Sequence, residues 1–218
     1  RRRLLADVTH ELRTPLTILQ GQLEGLLDGV YPRDEAHLNV ALDETRVMAR
    51  LIEDLRTLTL SEAGSLKLER ESVDPGALIA DIAAAFGAQA VQSGIQLSAE
   101  AEPDLPALDA DPTRLREVLG NLIANALRYT PAEGRIQLGA ARSDGAICLT
   151  VSDTGRGIAA EDLPHIFDRF YKGADSRGTG LGLAIAKSLV EAHDGTIAAE
   201  SAPSQGTTMT VRLPIPAE

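Results

Sequence analysis

The chain has 218 residues, of which 44% are hydrophobic and only 3% are aromatic. This composition suits one medium or two small globular domains with an aliphatic core, and it excludes a disordered tail, a collagen-like repeat and a disulfide scaffold. The net charge of -11 argues against general affinity for nucleic acid, because phosphate contacts need a basic surface. The single cysteine, Cys148, excludes an internal disulfide and a cysteine-rich zinc site, and it favours a reducing compartment.

Neither a signal peptide nor a membrane span is predicted within the chain. It contains no run of about 18 apolar residues, and the apolar stretch that follows Arg1-Arg2-Arg3 is too short for a signal sequence. The chain also begins without a methionine. We expect a fragment whose targeting or membrane segments lie upstream.

The first 60 or so residues carry apolar side chains at intervals of three and four, which predicts helices with one apolar seam each. The pattern stops from Gly29 to Asp34 and then resumes, so we predict a helical hairpin. Two narrow seams cannot enclose a core, and a symmetric dimer forming a four-helix bundle is the simplest remedy. The seam residues are Leu5, Val8, Leu12, Leu16, Leu19, Leu23 and Leu26, then Leu38, Ala41, Leu42, Thr45, Met48, Ile52 and Leu55.

The polar sequence from Ser61 to Ser65 is predicted to separate a first domain, residues 1–64, from a second, residues 65–218. Strand-like and helical patterns mix in the second domain, which predicts an α+β fold with helices on one face of an antiparallel or mixed sheet. Asp111 and Pro112 indicate a helix N-cap followed by proline, and residues 142–145 a turn. The predicted strands are 66–72, 95–100, 106–109, 135–141, 146–152, 196–201 and 207–213, and the predicted helices are 75–93, 112–129 and 180–193.

His10 is the first candidate for chemistry, in the sequence Thr-His-Glu-Leu-Arg-Thr-Pro. It lies off the apolar seam, so its imidazole is expected to face solvent, as an acceptor or a nucleophile must. Glu11 can bind one ring nitrogen or take its proton, which makes the other nitrogen more nucleophilic. Thr14 lies one helical turn beyond His10, and Pro15 is expected to bend or loosen the helix. The alternative is a solvated histidine on a helix that carries a proline.

A second candidate is the polar face of the helix predicted over 112–129. Asn121, Asn125 and Arg128 follow one another at i, i+4 and i+7, on a different face from the buried one. Amide oxygens suit Mg²⁺ and a guanidinium suits phosphate, so the face could hold a metal-bound polyphosphate. The alternative is the polar flank of an ordinary amphipathic helix. The apolar face consists of Leu115, Val118, Leu119, Leu122 and Ala126.

Asp153 is a third candidate, because it continues the core-facing row of Ile147, Leu149 and Val151 in a predicted strand. A half-buried carboxylate needs a hydrogen-bond donor, and an adenine amino group would supply one. Gly155 and Gly157 would let the backbone come close to the adenine ring. The alternative is a capping Asp at a strand end, followed by a glycine turn.

The glycine-rich sequence 178–182 is a fourth candidate, since it runs directly into a predicted helix whose first N–H groups could bind phosphate. It is not a P-loop, because no Gly-Lys-Ser/Thr follows, and the βαβ setting of a dinucleotide site is absent. Just before it, Phe167, Phe170 and Tyr171 account for half of the six Phe and Tyr residues. This cluster could anchor one end of a mobile flap or form a small satellite core.

Taken in this order, the four groups resemble the catalytic core of a sensor histidine kinase of a bacterial two-component system. The resemblance covers essentially the whole chain. It implies that residues 1–64 are the dimerisation and phosphoacceptor domain, and that residues 65–218 are an ATP-binding α/β sandwich of the gyrase, Hsp90, histidine kinase and MutL type. The family's boxes are matched by His10 to Leu16 (H box), Asn121 to Tyr129 (N box), Asp153 to Gly157 (first glycine box), Phe167 to Phe170 (F box) and Gly178 to Gly182 (second glycine box).

The resemblance implies a role for each matched residue. His10 would attack the γ-phosphate of ATP with Glu11 as general base, and Thr14 would orient water when the partner is dephosphorylated. Asn121 and Asn125 would bind Mg²⁺ and phosphate oxygens, and the resemblance does not rank the two as metal ligands. The other implied nucleotide contacts are Arg128 with phosphate, Tyr129 with the nucleotide, Asp153 with the adenine amino group, and Gly155, Gly157, Lys172, Gly178, Thr179, Gly180, Leu181 and Gly182 around the pocket and the base of its lid.

The same resemblance implies a homodimer that passes its phosphoryl group to an aspartate of a response-regulator receiver domain and does not bind nucleic acid. It implies a cytoplasmic portion of a protein held in the bacterial inner membrane by upstream segments. The stretch from Tyr171 to Gly178 is shorter than the usual ATP lid of the family, which puts lid contacts such as Arg177 in doubt. Because the acceptor must reach the γ-phosphate, we expect a hinge at Ser61 to Ser65.

Two other functions compete with this one. An ATPase of the same pocket class would use water as its acceptor, but no glutamate stands at position 121, where that class holds its water-activating base. A dimeric scaffold that has lost its nucleotide would keep the fold alone, and the intact boxes argue against it.

Overall fold

The computed structural model describes residues 2–173 and 179–215, with side chains described from Val8 onward. Within these ranges the chain forms two compact units, which divide, in the main, between Thr59 and Leu60. The first unit is helical, and the second combines sheets with helices. None of the helices described in these ranges is long and apolar enough to cross a lipid bilayer.

The first unit contains the two helices that the apolar spacing predicts, α1 (Arg2–Leu27) and α2 (Glu35–Glu62, whose last residues belong to the second unit). Pro15 lies inside α1 and is buried, and the helix continues through it. A proline removes one backbone hydrogen bond, which the many bonds of a long helix can compensate. The proline therefore does not end the helix.

The turn between α1 and α2 is closely packed. Asp34 accepts the backbone N–H of His37 at 3.0 Å, and the His37 Nδ1 atom lies 2.7 Å from the same carboxylate. The backbone hydrogen bond is the main reason that the pKa of Asp34 is lowered. The Tyr31 ring stacks on the His37 ring with centroids 5.1 Å apart, and it fills the space that a side chain at Gly25 would occupy. These contacts fix the N-terminus of α2.

The apolar seams of the hairpin are only partly buried within one chain. Leu26 and Ala41 are buried as predicted, and so are Leu51 and Leu58, which the predicted second seam omits. Several predicted seam residues remain in solvent, so the hairpin presents an apolar surface. The exposed large apolar residues of this unit are Leu16, Ile18, Leu23, Leu27, Val30, Tyr31, Leu38, Val40, Leu42, Val47 and Ile52.

The second unit has the α+β composition that the sequence predicts. A five-stranded mixed sheet has the order β2-β4-β5-β7-β6, and a two-stranded sheet pairs β1 with β3. Only β2 and β4 run parallel; the other neighbours are antiparallel. The elements are β1 (Glu71–Val73), α3 (Pro75–Gln92), β2 (Gln96–Ala101), β3 (Leu108–Ala110), α4 (Pro112–Tyr129), β4 (Arg135–Ser143), β5 (Ala146–Asp153), α5 (Gly182–Ala192), β6 (Thr196–Ser201) and β7 (Thr207–Pro214).

One face of the large sheet is buried. Along β4, β5 and β7 buried residues alternate with half-buried or exposed ones, as expected when helices cover a single face. Helices α3, α4 and α5 supply the cover, and their own buried residues are almost all aliphatic. Leu119, Ile136 and Val211 are fully buried between these layers. The core therefore rests on aliphatic packing, in agreement with the low aromatic content.

Several predicted boundaries are wrong in detail, and the helix predicted over 180–193 spans Gly182–Ala192. The strand predicted over 66–72 is confined to Glu71–Val73, because only these residues find a partner, in β3. The strand predicted over 106–109 lies at Leu108–Ala110 for the same reason. The turn predicted at 142–145 is tighter, because β4 extends to Ser143 and only Asp144 and Gly145 turn, both with positive φ (47° and 75°). Two central residues of positive φ are typical of a hairpin turn that matches the strand twist.

Asp111 joins three segments at the start of α4. Its carboxylate accepts the backbone N–H groups of Thr113 and Arg114, as predicted for an N-cap, and also that of Glu69. Its own N–H donates to Nε2 of His193 at 3.0 Å, and Nδ1 of His193 lies 2.8 Å from the Leu189 carbonyl. Because a carbonyl can only accept, the proton lies on Nδ1. The buried pair thus ties the end of α5 to the start of α4.

This geometry predicts different costs for the two Asp-Pro caps of the unit. Asp111 is 5% exposed and holds three N–H groups, whereas Asp74 caps α3 from an exposed position and holds two. Asp111→Ala should lower the free energy of unfolding by about 2–3 kcal/mol, and Asp74→Ala by about 1 kcal/mol. Urea denaturation of the two variants measures both costs, and equal losses would contradict the assigned role of Asp111.

Candidate functional site

The first candidate group lies on α1. His10 and Thr14 are exposed and Glu11 is half-buried, so the predicted exposure of the imidazole is confirmed. His10 and Thr14 are four residues apart in a continuous helix, which places them on the same side. An exposed imidazole next to a carboxylate can act as a nucleophile toward an electrophilic phosphorus atom.

The second group lies on the C-terminal half of α4. The predicted apolar face, from Leu115 to Ala126, is buried, whereas Asn121 and Asn125 are half-buried and Arg128 is exposed. In the part of the chain that the structure describes, no hydrogen bond engages the side chains of Asn121 and Asn125. Their amide oxygens are therefore available to a ligand at the surface of α4.

The start of α5 lies beside Asn121. An added Cβ at Gly182, the first residue of α5, would lie 3.4 Å from the Asn121 Oδ1 atom. Among the described residues no side chain caps the N-terminus of α5, so the first-turn N–H groups of this helix can face a ligand. The Asn121 amide oxygen and a helix N-terminus thus meet at one place, which suits a metal-bound phosphate.

Asp153 ends the central strand β5 and is half-buried, as the period-two pattern predicts. Its Oδ1 atom accepts the N–H of Gly155 at 2.8 Å and the N–H of Thr207 at 3.3 Å. Burial raises the pKa of Asp153 above 3.8, although both hydrogen bonds act in the opposite direction. A carboxylate in this environment gains from a further donor, which a ligand's amino group can supply.

Tyr129, the last residue of α4, lies against the loop that follows Asp153. Its carbonyl oxygen accepts the Arg156 N–H at 3.2 Å, and a Cβ at Gly155 would lie only 2.5 Å from that oxygen. The Arg156 guanidinium carbon lies 4.5 Å from the centroid of the Tyr129 ring. The N box and the first glycine box are therefore packed together, with the Tyr129 ring against Arg156 in the loop that follows the half-buried carboxylate.

The turn between β6 and β7 closes the other side of this loop. Gly157 has a φ of 69° and lies so close to the Ala202 carbonyl that no side chain fits. Ser201 accepts the Ile158 N–H at 2.8 Å and donates to the Gly206 carbonyl at 2.7 Å. Ser201 and Thr207 are not among the site residues that the sequence predicts. Only the pairing of β5 with β7, which places Asp153 opposite Thr207, reveals them.

The aromatic cluster and the second glycine box meet at a backbone contact. Phe170 donates its N–H to the Gly180 carbonyl at 2.9 Å, and Gly180, with a φ of 70°, leaves no room for a Cβ, which would lie 2.7 Å from the Phe170 carbonyl carbon. The Tyr171 hydroxyl donates to Asp162 at 2.5 Å, which raises the pKa of Tyr171. The cluster is therefore tied to the second glycine box, whereas the flap that it is predicted to anchor falls on residues 174–178, outside the described residues.

The remaining predicted residues of this segment differ in how far they are described. Lys172 is exposed, Thr179 is half-buried, and Leu181 is fully buried at the start of α5. Gly178 and Arg177 lie outside the described residues, as do the other residues of 174–178, so the predicted short lid has no structural description.

The described side chains fit a magnesium nucleotide. Asp153 offers an acceptor for an amino group, Tyr129 an aromatic surface, and the N-terminus of α5 a set of N–H donors. Among the described residues, no cluster of three or more His, Cys, Asp or Glu side chains could hold a metal ion by itself. Mg²⁺ commonly takes only one or two protein oxygen ligands and completes its shell with phosphate oxygens and water. Asn121 and Asn125 meet that requirement.

Two protein-family models match the chain in consecutive order. The model of the His Kinase A (phospho-acceptor) domain matches residues 1–64. The model of the histidine kinase-, DNA gyrase B- and HSP90-like ATPase matches residues 110–217. The second match contains the second, third and fourth candidate groups.

Relatives match along nearly the whole chain. The signal transduction histidine-protein kinase BaeS of Escherichia coli is 37% identical over 99% of this chain and 47% of its own length. The histidine kinase AfsQ2 of Streptomyces coelicolor is 39% identical over 98% of this chain and 42% of its own length. The chain thus spans less than half the length of these curated relatives.

Solved structures agree with this assignment. Histidine kinase AdeS of Acinetobacter baumannii superposes with a TM-score of 0.82 at 34% identity, over 95% of this chain and 98% of that one. Full-length ShkA, solved in complex with AMPPNP, gives a TM-score of 0.77 at 28% identity, over 99% of this chain and 46% of that one. The fold class and the family predicted from the motifs are confirmed: the chain belongs to the two-component sensor histidine kinases and carries their catalytic core.

Proposed function

We propose that this chain uses ATP to phosphorylate its own His10. A His10 ring nitrogen attacks the γ-phosphorus, the bond from that phosphorus to the bridging oxygen breaks, and ADP leaves. Glu11 accepts the proton from the ring. The observation that carries the proposal is the placement of Asn121 beside the N-terminus of α5, with the half-buried Asp153 carboxylate in the same unit and an exposed histidine in the other.

Each end of the nucleotide has its own partners in this proposal. Asp153 accepts a hydrogen bond from the adenine amino group, and Tyr129 lies against the base. The phosphates lie at the N-terminus of α5, where the N–H groups of the first turn and the helix dipole favour negative charge. Arg128, which is exposed on α4, supplies a positive charge to the phosphates. These local contacts are needed because residues 65–218 carry 13 basic and 21 acidic side chains, so the net charge of this part of the chain repels a polyphosphate.

Asn121 and Asn125 hold Mg²⁺ in this proposal, and of the two it is Asn121 that lies beside the start of α5. When bound, the ion neutralises charge on the phosphates during transfer. The AMPPNP complex of ShkA supports an adenine nucleotide in a chain of the same family.

The phosphoryl group then passes, in our proposal, to an aspartate of a response-regulator receiver domain. Thr14, on the same side of α1 as His10, would orient water if the chain also dephosphorylates that partner. Residues 1–64 would form the dimerisation and phosphoacceptor domain and residues 65–218 the ATP-binding domain. The inner-membrane location of the longer protein rests on the family resemblance alone.

We also propose that the hairpin is completed by a second copy of this chain. Leu16, Leu23 and Ile52 belong to the predicted seams but are 42%, 45% and 56% exposed in one chain. Each such leucine or isoleucine contributes roughly 1.5–3 kcal/mol when fully buried. A four-helix bundle of two hairpins would bury these residues, and the family model of residues 1–64 supports this arrangement.

A charge placed in the seam should dissociate this dimer. Leu23→Glu should shift the protein from dimer to monomer in sedimentation velocity, because an unpaired carboxylate is costly to bury. Val91→Glu is the matched control, since Val91 is 79% exposed on α3 of the second unit and should leave the dimer intact. A wild-type protein that sediments as a monomer at micromolar concentration would refute the dimer.

Labelling with γ-³²P-ATP tests the kinase activity. The wild type should acquire a base-stable, acid-labile label that requires Mg²⁺ and disappears with EDTA. His10→Gln should abolish the label, because no nitrogen nucleophile remains at that position. His37→Gln is the matched control, since it removes a half-buried histidine from the other helix of the hairpin and should remain labelled. Label that survives in His10→Gln would refute the assignment of the acceptor.

A further inference from the structure

Arg156 is held at the base-binding end of the site by its backbone. Its N–H donates to the Tyr129 carbonyl at 3.2 Å, and its own carbonyl accepts the Ser204 N–H at 2.7 Å. The neighbouring residues are fixed as well, since Gly155 donates to Asp153 and Gly157 packs on the Ala202 carbonyl. None of these contacts uses the Arg156 side chain. The backbone contacts that hold the loop are therefore the same whichever side chain stands at position 156.

The side chain itself is directed at Tyr129. The guanidinium carbon lies 4.5 Å from the ring centroid, within the range of an attractive cation–π contact. Tyr129 is half-buried and Arg156 is exposed. A tyrosine side chain can change its orientation by rotation about χ1 and χ2. A cation on one face of the ring favours a single one of these orientations.

The position of this pair along α4 separates it from the phosphate-binding end. Tyr129 and Asn121 are eight residues apart in one helix, which corresponds to about 12 Å along its axis. Asn121 lies at the N-terminus of α5, whereas Tyr129 adjoins the loop after Asp153. The Arg156 charge is therefore about two helical turns from the place where a γ-phosphate would react.

We propose that Arg156 is a positioning residue for nucleotide binding, which acts through Tyr129 by holding its ring against the loop after Asp153 in the orientation that receives the base. This inference rests on the proposed function, because it assumes that a purine lies at Asp153. It adds a residue between the two glycines of the first glycine box, where the sequence alone indicates only a turn. It also predicts an effect on binding and none on phosphoryl transfer.

Arg156→Gln should raise the Kd for ATP and for ADP about two- to fivefold, the range of an exposed cation–π contact. The rate of autophosphorylation at saturating ATP should not change, and neither should the thermal midpoint. Arg156→Lys should recover part of the affinity, because an ammonium group also binds an aromatic face. Arg142→Gln is the matched control and should bind ATP as the wild type does. It removes an exposed charge near the end of β4, whereas Asp153 pairs with the start of that strand.

A double-mutant cycle completes the test. In a Tyr129→Leu background, Arg156→Gln should cause no further loss, because the ring through which it acts is gone. An unchanged Kd in Arg156→Gln, or an equal loss with and without Tyr129, would overturn the inference. Failure of the wild type to bind ATP in the same titration would instead overturn the proposed function, so the two failures are distinguishable.

Discussion

In the function that we propose, nucleotide binding depends above all on the half-buried carboxylate of Asp153. Burial raises its pKa, and two backbone N–H groups on a single oxygen only partly compensate. Since the folded pKa lies above 3.8, the contribution of this group to stability decreases as the pH rises from that value through the folded pKa. The fold thus retains a cost that a ligand's amino group can offset.

Helix α4 links this carboxylate to the rest of the site, because one of its faces packs in the core and the other carries polar site residues. Its aliphatic face is buried among the sheet and the neighbouring helices, which fixes the helix in place. The opposite face is thereby held in register, with Asn121 beside the start of α5 and Tyr129 beside the loop after β5. In the function that we propose, the phosphate-binding and base-binding groups are kept at a set separation by this one helix, which is the positioning that phosphoryl transfer requires.

Side-chain periodicity allowed the local features to be predicted. The row from Ile147 to Asp153 placed the carboxylate correctly, and helical spacing separated Asn121 and Asn125 from the buried face of α4. Features that depend on strand order could not be predicted. Thr207 reaches Asp153 only because β7 pairs with β5, and residues 66–70 form no strand because β3 offers partners only to 71–73. Leu51 and Leu58 were missed because the apolar spacing of α2 fits two adjacent seams. The contact of Arg156 with Tyr129 joins two motifs that are distant in sequence.

Comparison of ATP with inosine triphosphate by calorimetric titration tests the central claim most directly. The two differ at the position that should face Asp153, where inosine has a carbonyl oxygen instead of an amino group, so two acceptors would face each other. Inosine triphosphate should bind about 10- to 100-fold more weakly than ATP, as expected for the loss of a hydrogen bond to a charged group. Equal affinity for the two nucleotides would show that Asp153 does not receive the adenine amino group, and would contradict the account.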